Sequence, residues 1–180
     1  YKNKKEIGSG TFTKKEIRGS GSSGLEKIRN KKFLKEFNDR KFIFQKYIKG
    51  QEYHLDIFND LKGNYISTCI KKKILMRSGE TDKCEIIHNR KIELFSKTIA
   101  KCLKHIGNLD CDIILNNKKK IFLIDLNPRF GGGYPFTHLA GLNYLLALVR
   151  MSLKKKFNLS RKAKLITCMK GISLHYYYNN

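Results

Sequence analysis

Two aspartates and an asparagine carry the clearest chemical signal in the chain. Asp125 and Asn127 stand two residues apart in Ile124-Asp125-Leu126-Asn127, and alternate residues of a strand share a face. The polar run Asn116-Asn117-Lys118-Lys119-Lys120 reads as a turn joining strands over 111–115 and 121–126. Folding this hairpin about its turn brings Asp112 close to directly across from Asp125. Opposed like charges destabilise a strand pair unless something compensates them. A divalent cation would do so, and two carboxylates plus an amide oxygen form a hard-oxygen set suited to magnesium beside bound phosphates. A register slipped by one residue, or neutralisation by nearby lysines, would settle the same charges without a metal.

A second feature is the Gly/Ser stretch Gly19-Ser20-Gly21-Ser22-Ser23-Gly24, which fits G-x-G-x-x-G. A dinucleotide fingerprint needs a hydrophobic strand before it, and Thr13-Lys14-Lys15-Glu16-Ile17-Arg18 is too charged for a buried parallel strand. No Gly-Lys-Ser/Thr closes the stretch as a phosphate-binding P-loop would require. It reads either as a flexible linker or as a loop whose exposed N–H groups cradle phosphates, with a lysine just upstream. Other catalytic arrangements are thin: there is no G-x-S-x-G elbow, and the five histidines lack H-x-x-x-H spacing.

The elements that must position these groups follow from periodicity. Residues 42–48 read as a strand closed by Gly50, residues 52–58 alternate polar and apolar, and residues 59–64 form a hairpin-like turn into a return strand over 65–75. Residues 90–106 are the clearest helix: Ile92, Phe95, Ile99, Cys102, Leu103 and Ile106 make one apolar stripe. Gly107 stands where a C-terminal cap belongs. A charged helix is expected around 31–38 and an apolar one over 138–153. Strand pairs joined by short turns imply an α+β fold with mainly antiparallel sheets.

Composition sets outer bounds. At 180 residues and 41% hydrophobic, the chain can bury a core as one ordinary domain or two small ones. The formal charge of +23 comes mainly from lysines scattered along the whole chain, without aromatic interleaving or zinc-ligand spacing. A compositional bias therefore explains it more simply than a polyanionic partner. Five widely spaced cysteines with no C-x-x-C suit a reducing, cytoplasmic setting. The apolar stretch 139–153 is too short and too interrupted, by Asn143 and Arg150, to span a membrane.

Taken in order, four stretches resemble the ATP-grasp superfamily, especially its carbamoyl-phosphate synthase large-subunit and biotin-carboxylase-like branch. They are Lys15-Glu16-Ile17-Arg18 with the Gly19 to Gly24 loop; Gln45-Lys46-Tyr47-Ile48-Lys49-Gly50-Gln51-Glu52-Tyr53; Met76-Arg77-Ser78-Gly79-Glu80-Thr81; and Ile124-Asp125-Leu126-Asn127-Pro128-Arg129-Phe130-Gly131-Gly132-Gly133. The last, similar to the family's acid-x-Asn-Pro-Arg motif, is the most specific. The resemblance implies an ATP-grasp fold with a small lid subdomain (1–50), a larger antiparallel metal- and nucleotide-binding subdomain (51–150) and a basic extension (151–180). It implies that Lys15 holds nucleotide phosphates and that Gly19, Ser20, Gly21 and Ser22 fold over them. Gln45, Tyr47 and Ile48 would form the hinge that meets adenine, with Glu52 on the ribose. Asp112, Asp125 and Asn127 match the metal positions, Arg129 would face the transferring phosphoryl group, and Arg77 would add a phosphate or acyl-phosphate contact.

The implied reaction is phosphoryl transfer from ATP, with Mg2+ or alternatively Mn2+, to a small carboxylate, followed by attack of a nucleophile such as an amine. An N-terminal part of the same protein and an oligomeric partner fit the same picture, whereas nucleic acid and membrane do not. The rival expectations are a basic nucleic-acid-binding module and a silent ATP-grasp relic. Departures from the pattern are Asp125 where glutamate is usual, Asp112 where glutamine or glutamate is frequent, and Glu16 where proline usually follows the lysine.

Overall fold

The computed structural model describes residues 10–18, 26–29, 41–77, 79–160 and 162–171. Three short strands, β1 (Thr11–Glu16), β2 (Glu26–Arg29) and β3 (Phe42–Lys46), pair antiparallel in the order β2-β1-β3. Phe12, Ile28 and Phe44 meet on one face as a small apolar core. Alternation sends Thr13 and Lys15 to the opposite face. The charged character of β1 suits this half-exposed antiparallel sheet.

Residues 47–49 leave the small sheet and lead into β4 (Gly50–Asn59). Gly50 therefore opens a strand instead of closing one. The reason is a close approach: a Cβ there would lie 2.5 Å from the Leu115 carbonyl oxygen. β4 joins β5 (Tyr65–Arg77), β6 (Glu80–Ile87), β7 (Gly107–Asn116), β8 (Ile121–Asn127) and β9 (Thr167–Met169) in a six-stranded antiparallel sheet ordered β8-β7-β4-β5-β6-β9. The turn between β4 and β5 is tied by Asp60, whose Oδ1 accepts from the N–H groups of Lys62 and Asn64 at 2.8 Å.

The helix α1 (Arg90–Leu103) covers one face of this sheet. It starts where Asn89 Oδ1 accepts from Ile92 N–H, as an N-cap should. Its apolar stripe buries Ile92, Ile99 and Ala100 against Leu55, Ile57, Leu109 and Cys111. Each of the larger side chains contributes roughly 1.5–3 kcal/mol when buried. The expected glycine cap is displaced: the helix ends at Leu103, Lys104 takes the left-handed conformation at φ 47° and donates its N–H to Ala100 O, and Gly107 begins β7.

The second face carries α2 (Tyr134–Leu139) and α3 (Tyr144–Ser152). A single helix over 138–153 is not formed, because Gly141 at φ 89° breaks the chain between them. Tyr144 is fully buried, stacked on Phe58 at 4.4 Å between ring centroids, and its hydroxyl accepts from Ser67 Oγ at 3.0 Å. Ala163 and Cys168 complete this core, so the chain beyond residue 150 contributes both packing and the edge strand β9. The helix expected around 31–38 lies outside the described residues. Among the described residues no helix is long and apolar enough to cross a membrane.

Candidate active site on the charged half of the large sheet

Strand register assembles the site. Lys71 of β5 lies opposite His54 of β4, His54 opposite Asp112 of β7, and Asp112 opposite Asp125 of β8. The next row runs from Asp56 through Asp110 to Asn127. Two parallel rows of ionisable side chains thus cross the sheet on the face away from α1.

The Asp112–Asp125 juxtaposition depends on a bulge. The ladder pairs Leu115 with Ile121 and Ile113 with Leu123, and uninterrupted it would set Ile124 against Asp112. The register shifts between Asp112 and Ile113, leaving Ile124 as the extra residue and bringing Asp125 opposite Asp112. One inserted residue inverts side-chain parity. It puts Ile121 and Leu126 together in the apolar core under α1 while Asp125 and Asn127 emerge on the charged face.

Asp125 Oδ1 lies 3.2 Å from Lys15 Nζ, which reaches across from the small sheet. Asn127 Nδ2 donates to Asp125 Oδ2 at 3.2 Å. Asp112 Oδ1 is buried and accepts no hydrogen bond, although Lys73 Nζ and His54 Nδ1 lie 3.0 and 3.3 Å away. Burial alone would push the Asp112 carboxyl up, but the His54 ring and the Lys73 ammonium outweigh it and hold the group at about 2. It is therefore an anion held beside the His54 ring and the Lys73 ammonium. Among the described residues no three His, Cys, Asp or Glu side chains form a ready-made metal cage. The set here has two carboxylates and an amide. With Asp112 Oδ1 buried and accepting no hydrogen bond, and Asp125 directly opposite it in register, this hard-oxygen set fits a small cation completed by phosphate and water oxygens.

Arg129 follows the strand in the Asn127-Pro128-Arg129 turn. Its guanidinium is largely exposed and donates to Asp110 Oδ2 at 2.8 Å. Behind it stand Gly131, Gly132 and Gly133, where an added Cβ would run into the carboxylate of Asp110, the carboxylate of Glu80 and the ring of His54, respectively. The glycines let these three side chains press against bare backbone. Burial raises the Asp110 carboxyl, helped by Asp112 and Asp56, against the pull of His54 and Arg129.

The other expected residues are distributed around this centre. Gln45 lies opposite Thr13 on β3, and Tyr47 N–H donates to Thr11 O at 2.9 Å beneath the Lys27 ammonium, 3.9 Å from the ring centroid. Ile48 follows in the unpaired link between the sheets. Glu52 opens the charged face of β4, with Lys73 Nζ 3.5 Å from its carboxylate. Arg77 does not join the Asp112–Asp125 cluster: it sits at the end of β5, opposite Glu80, with Nη2 3.1 Å from Asp82 Oδ2. Gly19, Ser20, Gly21 and Ser22 lie outside the described residues.

Sequence reasoning passed over several residues of this face: His54, Asp56, Lys71, Lys73, Asn108, Asp110, Glu80 and Thr137. Their signal was present in alternation. Glu52, His54 and Asp56 share parity on one strand, as do Asp110 and Asp112 on another.

The ATP-grasp domain family model matches residues 2–133. No curated protein matches the chain in sequence. Among solved structures, similar ones include the biotin carboxylase domain dimer of Hydrogenobacter thermophilus 2-oxoglutarate carboxylase, in complex with MgADP, ADP and bicarbonate. It is 17% identical with a TM-score of 0.69, covering 89% of this chain and 40% of that one. N5-carboxyaminoimidazole synthetase from Staphylococcus aureus, complexed with ADP, is 13% identical with a TM-score of 0.68, covering 91% of this chain and 48% of that one. L-amino acid ligase from Bacillus licheniformis is 16% identical with a TM-score of 0.59, covering 82% and 40%. This chain thus spans less than half the length of these proteins. With a family match over most of its length, and with the two-sheet fold that carries it, the chain belongs to the ATP-grasp domain family.

Proposed function

We propose that the chain supplies the nucleotide- and metal-binding part of an ATP-dependent ligase that activates a carboxylate as an acyl phosphate for attack by an amine. The observation that carries this reading is the meeting of Lys15, from one sheet, with Asp125, from the other. A triphosphate lying between the sheets would take the lysine, and the aspartate would be left to help hold its metal. In this reading Asp112, Asp125 and Asn127 hold magnesium or manganese. Bound there, the metal would supply charge neutralisation to the phosphates while the γ-phosphoryl group passes from ATP to a carboxylate oxygen, leaving ADP. Arg129 stabilises the charge that builds on the transferring group. The amine then attacks the acyl carbon and phosphate departs.

The remaining assignments belong to the same proposal. Gln45, Tyr47 and Ile48 would line the base, Glu52 the ribose, and Gly19, Ser20, Gly21 and Ser22 the phosphates, with Arg77 at the acceptor side. Residues 1–50 would act as the lid and 51–150 as the metal-bearing part. A further portion of the enzyme would complete the acceptor site, in a cytoplasmic protein that forms oligomers. In support, two of the similar structures named above are complexes with ADP.

The test is thermal unfolding of the chain with and without ATP, at fixed magnesium and again with the metal chelated. A ligand that binds only the native state raises the melting temperature. A rise that requires the metal supports the reading. A rise indifferent to chelation removes the metal assignment, and no rise in the longer enzyme removes the nucleotide site.

A further inference from the structure

Lys71 is fully buried, and so is the Asp56 carboxylate with which it pairs. Burial would push the Asp56 carboxyl up, but the Lys71 ammonium and the His54 ring hold it far below the usual carboxylate range. A buried ion pair is a poor device for stability alone, since an apolar pair of similar volume does as well or better. What distinguishes this pair is where its remaining hydrogen bonds go. Lys71 Nζ donates to the Gly133 carbonyl oxygen at 3.3 Å and to Thr137 Oγ1 at 3.0 Å, and Thr137 in turn donates to Asp56. Asp56 Oδ1 accepts from Asn108 Nδ2 at 3.0 Å, and the same amide donates to the Arg129 carbonyl oxygen at 3.1 Å. Both ends of the segment 129–133 therefore hang from one buried ion pair.

That segment's own bracing is the edge contact of Phe130 on Tyr134 and two backbone bonds, Arg129 N–H to Asn127 O at 2.8 Å and Tyr134 N–H to Gly131 O at 3.0 Å. Gly131, Gly132 and Gly133 have no side chains, and glycine leaves the backbone its widest freedom. The Arg129 side chain, largely exposed, is steadied by Asp110 and by its own neighbour's carbonyl at Phe130. The carbonyl tethers from beneath fix both ends of the glycine run and so help set the angle at which the guanidinium leaves the turn.

We propose that Lys71 and Asp56, acting through Asn108 and Thr137, are positioning residues for phosphoryl transfer, fixing the turn that presents Arg129. The proposal rests on the reading that Arg129 faces the transferring group. A misplacement of about 1 Å at such a group costs on the order of 100-fold in rate.

The experiment compares the wild-type protein with Lys71→Met/Asp56→Asn, which removes both charges together, and with Asn108→Ala, which leaves the ion pair intact. Three quantities are read: Kd for MgATP by calorimetry, kcat and KM for ADP release, and amide hydrogen exchange over 129–133. The double variant should keep Kd and KM for MgATP within about threefold and lose about 100-fold in kcat. Its 129–133 amides should exchange faster while those of β4 and β5 do not. Asn108→Ala should follow with a loss of about tenfold in kcat at unchanged Kd, which keeps the question answerable if the double variant does not fold. Retention of kcat in either folded variant, or a Kd that weakens in step with kcat, would overturn the proposal. Unchanged exchange at 129–133 would overturn the tether. A wild-type protein that neither binds MgATP nor releases ADP would overturn the functional reading, and the catalytic role with it, while the exchange measurement still reports on the tether.

Discussion

The two faces of the six-stranded sheet are built from the same strands and obey opposite rules. Under α1, Tyr53, Leu55, Ile57, Ile70, Leu109, Cys111 and Ile113 form a continuous apolar layer. On the other face the same strands present Glu52, His54, Asp56, Lys71, Lys73, Asp110 and Asp112, several of them as deeply buried as the apolar set. The first face gains by removing area from water, and its members are interchangeable to the extent that volume is conserved. The second gains little from burial. It is held by pairings in which each partner depends on another, so that loss of one group strands its neighbour.

That contrast orders the expected effects. Lys71→Met alone should cause the largest loss of stability, about 3–5 kcal/mol in denaturant unfolding, because it leaves the Asp56 carboxylate buried and uncompensated. Recovery of most of that loss in Lys71→Met/Asp56→Asn would show that charge, not packing volume, sets the cost. Asp125→Ala should separate function from stability. Any MgATP-dependent turnover should fall on the order of 100- to 1,000-fold, while the ligand-free chain unfolds within about 1 kcal/mol of wild type, since the Asp125 and Lys15 side chains are 40% and 28% exposed and water screens the pair. Full turnover in that variant would dismiss the metal assignment.

On the apolar face, Ile92→Ala should cost about 2–4 kcal/mol with nucleotide affinity untouched. An affinity change there would mean that the two faces are coupled through the sheet. The acid limb offers a further distinction. The Asp56 carboxyl is held in the fold well below its ordinary value of 3.8, so its contribution is complete above that pH and is lost as pH falls below it. Circular dichroism between about pH 5 and 2 should show a shallower decline in the charge-free double variant than in wild type. The smallest effect belongs to the edge of the apolar face: Asn89→Ala removes the α1 cap and should cost about 1 kcal/mol in unfolding, without any effect on the charged rows.

The parts of this arrangement legible in the sequence were those written in a local period. The α1 stripe from Ile92 to Ile99 and the β7–β8 hairpin repeat over enough residues to be recognised, although Cys102, Leu103 and Ile106, expected to continue the stripe, are exposed, and the acid-x-Asn-Pro-Arg resemblance fell on residues that the fold brings together. Tertiary context decided the rest. β6 shows only Cys84 and Ile86 as its core positions, and β9 is three residues long and exists through its pairing with β6. Lys71 sits in a run of three lysines that reads as a solvated patch. Strand alternation buries Lys71 completely while leaving the Lys72 side chain 40% exposed. Gly141 breaks an apolar stretch whose composition suits one helix, because a left-handed φ is cheap there and Lys164 N–H reaches in to the Ala140 carbonyl oxygen.

The bulged Ile124 bears on which lengths of this chain are free to vary. Asn116–Lys120 is a solvent-exposed turn, and residues added there would lengthen a loop without disturbing anything beyond it. Between Asp125 and Asn127 the residue count is a reading frame. Loss of the bulged Ile124 would restore a regular ladder with Asp125 still opposite Asp112, whereas a residue gained or lost between Asp125 and Asn127 would turn Asn127 toward the apolar side of the sheet, so the chain can substitute at Leu126 far more readily than it can change length there.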